Sequence, residues 1–222
     1  MRHIPSKLTL VAGFVLAMVF TFSCSGDNDD GNDQNGGGGS CSINGGTVKI
    51  GSQTWMSENL NCNVAGSKCY DNDPANCAKY GRLYDWSTAM ALPASCNLSY
   101  CASKVSAKHQ GICPSGWHIP SDAEWTALMD FVGPGTGTKL KATSGWGNDG
   151  NGTDEFGFSA LPGGSGGSGG GFTIAGDSGD WWSSTEYDAN YAYYRYILYY
   201  HEDVYRLDGY KGDLQSVRCL QD

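Results

Sequence analysis

The sequence predicts an α+β domain with small antiparallel sheets, two short helices and long loops. Three observations carry this expectation. A strand–turn–strand pattern lies at residues 47–56, and one strongly signalled helix lies at 121–132. The C-terminal half is dense in tyrosine and β-favouring residues, with no β–α–β alternation between the segments.

The elements follow in order. Thr47 to Ile50 and Gln53 to Met56 flank Gly51-Ser52, a two-residue turn of the Gly-X kind. Tyr84 to Ala91 is a short helical candidate that stops before Leu92-Pro93. Ser121 and Glu124 form a capping box, and Asp122 sits in the first turn. Trp125, Leu128, Met129 and Val132 then share one helical face until Gly133-Pro134 ends the run. Residues 162–171 read as a glycine-serine loop. No strand–GxxxxGK[ST]–helix context surrounds it, so it is no phosphate cradle. Residues 181–185, 191–200, 204–207 and 214–220 have strand composition and make up the expected antiparallel sheet.

Composition narrows the function classes. Glycine accounts for 33 of 222 residues, but no Gly-X-Y period makes the chain collagen-like. Only 17% of residues are charged, which excludes a coiled coil, and 12% are aromatic, which argues against global disorder. The net charge of −9 disfavours a phosphate-backbone partner, so no nucleic acid is expected.

The first 40 residues read as sorting signal and tether. Arg2 and Lys7 precede an uncharged apolar run at residues 8–22, shorter than the about 20 residues of a membrane span and suited to a signal peptide. Thr21-Phe22-Ser23-Cys24 resembles a bacterial lipoprotein cleavage site, with Cys24 as the lipid attachment residue. Ser25 to Ser40 contains no apolar residue and reads as a flexible acidic tether. Its cluster of Asp27, Asp29, Asp30 and Asp33 resembles the surface-export signal of Bacteroidetes-type lipoproteins. The expected division is a signal peptide at 1–23, a tether at 24–40 and one domain at 41–222. The expected location is the outer membrane and cell surface, with the lipid anchor holding the chain to the membrane.

Beyond Cys24, eight cysteines remain, and an exported chain uses an even set for disulfides. Cys69 with Cys77 and Cys96 with Cys101 look like local staples. Cys113 with Cys219 would clip the middle of the chain to its end, and Cys41 with Cys62 follows by elimination. No tight Cys-x2-Cys pair exists and the histidines are scattered, so no metal site and no cofactor are expected.

Several segments resemble the Fibrobacter succinogenes major paralogous domain family. They are VKIGSQTWMSENLN (48–61), CYDNDPANCAKYGRLYDWSTAM (69–90), GICPSGWHIPSDAEWTALMDFVG (111–133), GNGTDEFGFSALPGG (150–164), WWSSTE (181–186) and SVRCLQD (216–222). The resemblance implies a secreted or lipid-anchored surface protein and carries no established activity. A fainter resemblance links IPSDAEW (119–125) and VRC (217–219) to the formylglycine-generating, sulfatase-modifying family. This second resemblance implies a C-type-lectin-like fold, whose joined termini a Cys113–Cys219 bridge would suit.

Chemistry is sparsely signalled. The oxidase members of that second family use a cysteine pair near the C-terminus. The corresponding upstream position here is Leu214, so that chemistry is absent and no catalytic residue is assigned. His109, His118 and His201 have no Gly-x-Ser-x-Gly partner, and a hydrogen-bonded core role is expected of His118. Asp154/Glu155 and Glu202/Asp203 are sequence neighbours that a strand would point oppositely. Residues 149–155 (DGNGTDE) look oxygen-rich but lack the fixed ligand offsets of a calcium loop, and a hydrogen-bonded turn is the expectation.

Aromatic density is the remaining hint. Trp181, Trp182, Tyr187, Tyr194 and Tyr196 are the candidate ligand-contacting residues, since rings stack on sugar faces and anchor protein interfaces. The alternating pattern does not say which face is exposed, and core packing is the competing use of these rings. The expected function is non-enzymatic binding or adhesion at the cell surface, to polysaccharide or to a surface protein. The alternative is an enzyme on a formylglycine-generating-type scaffold with a non-cysteine active site, which would need an open cavity holding a titratable pair or a metal.

Overall fold

The computed structural model describes residues 41–43 and 45–222. The expected signal peptide, Cys24 and the tether therefore lie outside the described residues. Among the described residues, no helix is long and apolar enough to cross a membrane.

The described residues form eleven short strands and four α-helices, with three single 3-10 turns between them. They are β1 (Thr47–Ile50), β2 (Gln53–Met56), α1 (Pro74–Tyr80), β3 (Leu83–Tyr84), α2 (Trp86–Ala89), β4 (Trp117–His118), α3 (Asp122–Val132) and α4 (Thr136–Leu140). There follow β5 (Ser165–Gly166), β6 (Phe172–Thr173), β7 (Ser178–Glu186), β8 (Tyr191–Leu198), β9 (Tyr205–Tyr210), β10 (Gln215–Ser216) and β11 (Leu220–Gln221). One sheet has the order β1-β2-β11-β4, a second has β3-β10-β7-β8-β9, and β5 and β6 form a small hairpin.

The opening hairpin is the expected one. Ile50 pairs with Gln53 across Gly51-Ser52, and Gly51 takes φ +60°, which a side chain would resist. In α3 the capping box closes on both sides: Ser121 Oγ accepts from the Glu124 amide, and Glu124 Oε2 accepts from the Ser121 amide at 2.8 Å. Trp125, Leu128 and Val132 face the core.

Three expectations are corrected. The 84–91 segment is split, because Tyr84 belongs to β3 and Asp85 caps a single helical turn through Thr88. The 214–220 segment is two strands rather than one. After β10 the chain turns inward through Val217, Arg218 and Cys219, all fully buried, and re-emerges as β11 in the other sheet. The second sheet is also mixed, because β10 runs parallel to β7, Ser216 opposite Trp181.

Two helices escaped the sequence reading. Asp73 caps α1 with Pro74 at its first position and Gly81 just past its end, a signal that was present in the sequence. The start of α4 is capped from afar: Asp203 Oδ1 accepts from the Gly135 and Thr136 amides.

The core has two apolar clusters. One gathers Tyr84, Trp86, Trp117, Trp182 and Val217. The other gathers Trp55, Trp125, Phe158, Trp181 and Leu220, with Trp55 and Trp125 ring centres 4.7 Å apart. Buried indoles keep hydrogen-bond partners, as burial demands: Trp86 donates to Ser183 O, Trp182 to Tyr84 O and Trp181 to Asn59 Oδ1. Disulfides join Cys41–Cys62, Cys69–Cys77, Cys96–Cys101 and Cys113–Cys219. Three of these pairs are the ones read from cysteine placement, and Cys41–Cys62 is the one reached by elimination. The molecule is thus a mixed α+β domain with small sheets, few short helices and four cross-links.

Candidate functional site

The second sheet builds the site. Directly opposed residues on neighbouring strands share a face. Asp180 on β7, Tyr196 on β8 and Tyr205 on β9 form one such row, and Trp182, Tyr194 and Leu207 form the next. Tyr196 contacts Tyr194 and Tyr205 at ring-centre distances of 6.0 and 5.6 Å. His201, in the loop before β9, adds its ring 4.3 Å from Tyr205. Tyr205 and Leu207 are 44% and 46% exposed, so the outer part of this face is open.

At the inner end of the face lies a cavity of about 350 Å³, lined by Asp180, Tyr194, Gln215 and Asp213 together with Thr173 and several glycines. One wall is the β5–β6 hairpin, made by the glycine-serine segment. Gly166 exchanges both backbone hydrogen bonds with Leu214, which fastens this hairpin beside β10. The loop expected at 162–171 thus carries strand β5 and a tight turn.

The electrostatics of the cavity are acidic. Asp180 is almost wholly buried and its carboxyl is pushed up to about 7 by burial, opposed only by a hydrogen bond from Ser178 Oγ at 3.0 Å. None of the ion pairs of the described residues involves it. Burial also raises the Tyr194 phenol, helped by the nearby charges of Asp180, Asp208 and Asp213. Gln215 Oε1 is buried with no hydrogen-bond partner.

The sequence-predicted ring set divides. Tyr194 and Tyr196 lie on the half-open face. Trp182 shares that face but sits beneath it, 0% exposed and edge-on to Tyr194. Trp181 points to the opposite side, 1% exposed, against Trp125. Both tryptophans are core residues, which corrects the expectation that they contact a ligand. Tyr187 is 55% exposed and packs on Tyr193, away from the Asp180 row. Sequence reasoning missed Tyr205, Leu207, His201, Asp180, Gln215 and Asp213. A carboxylate directly before the Trp181-Trp182 pair was the available signal for Asp180.

The model of the family described as the Fibrobacter succinogenes major domain matches residues 48–221. The chain belongs to this family. No curated protein and no solved structure matches it.

The remaining candidates of this major domain are structural. His118 is buried between two carboxylates, Nδ1 2.7 Å from Asp222 and Nε2 3.0 Å from Glu124. At residues 149–155 the polar oxygens serve the turn: Asp154 accepts from the Ser159 amide and hydroxyl, and Asn151 accepts from the Trp146 amide. Among the described residues, no group of three or more His, Cys, Asp or Glu side chains could hold a metal ion.

Proposed function

We propose that this domain is a binding module of an exported, lipid-anchored surface protein, and that it holds saccharide on the Tyr194–Tyr196–Tyr205 face. One observation carries the reading: a row of tyrosines, half-open to solvent, leads directly into a polar cavity. Rings of this kind offer an apolar platform to sugar C–H faces, and a few buried polar groups beside them set orientation. Cys24 is the proposed lipid attachment point, and residues 24–40 the proposed tether to the outer membrane. The fold is proposed to be C-type-lectin-like. The pairing of β2 with β11, which joins the early hairpin to the last strand, supports this.

The test is retention of the full chain on insoluble polysaccharides and on a glycan array, with Tyr196→Ala/Tyr205→Ala as the comparison. Retention that is lost in the double variant supports the reading. The absence of any glycan ligand overturns it and leaves a protein partner as the occupant.

A second reading, an enzyme on the same scaffold, rests on the two carboxylates of Asp180 and Asp213 in one cavity. The Asp180 carboxyl, raised to about 7 by burial, can give or take a proton near neutral pH, as an acid–base catalyst needs. Release of new reducing ends from a bound glycan, lost in Asp213→Asn, would decide for it.

A further inference from the structure

We infer that the cavity bounded by Asp180, Gln215 and Asp213 receives the protonated amine of an amino sugar. The inference rests on the saccharide-binding reading and names the class of sugar.

The carboxyl and amide oxygens of the cavity keep unused acceptor capacity. Gln215 is 4% exposed, and its Oε1 has no donor among the described residues. Asp180, 6% exposed, accepts one bond, from Ser178 Oγ. Asp213 accepts one, from the Ser168 amide at 3.0 Å. Thr173 and Ser165 are turned toward each other, with their hydroxyls 3.4 Å apart. No lysine, arginine or histidine lines the cavity. A buried acceptor without a donor is costly, so the site calls for a group rich in N–H or O–H.

Charge then selects among sugars. A uronic or sialic acid would bring a second negative charge beside Asp180 and Asp213. A neutral sugar would donate hydroxyls but bring no positive charge to let the buried Asp180 carboxyl ionise. An ammonium supplies three donors and the missing positive charge together. The Tyr194 ring, which also lines the cavity, favours both a sugar face and a cation.

The mouth of the cavity is kept open by side chains that are missing. A Cβ on Gly171 would meet nothing within 4 Å, and one on Gly167 would meet only the Gly171 carbonyl, at 3.9 Å. Neither position has the positive φ that demands glycine. Packing does not require these two glycines, whereas access to Asp180 and Gln215 benefits from them.

The experiment compares the full chain binding chitosan tetramer, chitin tetramer and cellotetraose at neutral pH by calorimetry. The expected result is at least about tenfold tighter binding of the free amine. That preference should vanish in Asp180→Asn, which keeps the shape and removes the charge. Gly171→Trp, whose Cβ would meet no neighbour, should weaken the amine ligand while leaving the melting temperature unchanged. Equal or tighter binding of the acetylated or neutral oligomer overturns the inference and leaves the saccharide reading standing. Binding of none of the three, with retention on other polysaccharides, also overturns it. No retention on any glycan overturns both.

Discussion

Arg218, fully buried, rests its guanidinium on the amide oxygen of Asn59, with Nη2 at 2.8 Å and Nε at 3.2 Å. Among the described residues no carboxylate pairs with this arginine; its other partners are the carbonyls of Phe158 and Ser159 and the Phe158 ring, 4.2 Å away. Burial accordingly lowers its pKa to about 9. The same Asn59 oxygen accepts the Trp181 indole proton at 2.8 Å, so one amide ties the cation to the core.

Asn59→Ala should therefore destabilise the domain by about 3 kcal/mol or more, since it strands a buried cation and a buried indole together. Denaturant unfolding of the oxidised protein measures this. A loss under about 1 kcal/mol would show that other groups take over.

A second buried cation behaves differently. Lys211 meets Glu186 in a fully buried ion pair and also donates to the carbonyls of Cys96, Ser99 and Ala189. Glu186 in turn accepts the Cys101 amide. Lys211→Met should cost about 3–5 kcal/mol, because an unpaired carboxylate remains inside. Adding Glu186→Gln should restore part of that loss, and a double variant no better than the single one refutes the pairing account.

The cross-links should differ in worth. Cys113–Cys219 closes a span of 106 residues and Cys96–Cys101 a span of 5. On loop-closure entropy, replacing the first pair by serine should cost about 4–5 kcal/mol, and the second about 2. Similar losses for the two would point to an enthalpic origin.

Stability should also track pH through His118. Burial alone would lower its pKa, but the hydrogen bonds to Glu124 and Asp222 outweigh burial and raise it. For Glu124, burial would raise the pKa, but the bonds to His118 and Ser121 hold it below the ordinary carboxylate range. The histidine contribution is complete below the unfolded imidazole value of about 6.5 and is lost as pH rises through the raised one. The Glu124 contribution is complete above its unfolded value of about 4.3 and is lost as pH falls through the lowered one. Asp180, with its carboxyl raised from 3.8 to about 7, lowers stability as pH rises through that interval and adds no slope above it, since ionising it inside the fold is costly. Melting temperature should peak at mildly acidic pH, and His118→Gln should flatten the alkaline limb. A melting temperature that climbs through neutral pH would contradict the assignment.

Local signals were legible and long-range ones were not. The Gly51-Ser52 turn and the Ser121/Glu124 box act within a few residues, so the chain spells them out. The cap of α4 is Asp203, 68 residues beyond Gly135, and nothing near 135 announces it. Alternation could not sort the rings of β8, because both faces are covered in part: Arg195 and Ile197 are buried on one side and Ala192 on the other. The site was half visible. Tyr194 and Tyr196 were readable as aromatic density, while Gln215 and Asp180 meet only through the parallel pairing of β10 with β7.

That pairing has a consequence for how the chain is made. Residues 215–216 supply the strand between β3 and β7, and residues 220–221 the strand between β2 and β4. Until these few residues are in place β3 is parted from β7 and β4 from β2, although β1–β2 and the β7–β8–β9 ribbon already have their neighbours. The domain closes across both sheets only when residues 215–221 are in place. A chain cut after Tyr210 should stay open to proteases at the unjoined β3 and β4, while the β7–β8–β9 ribbon resists longer.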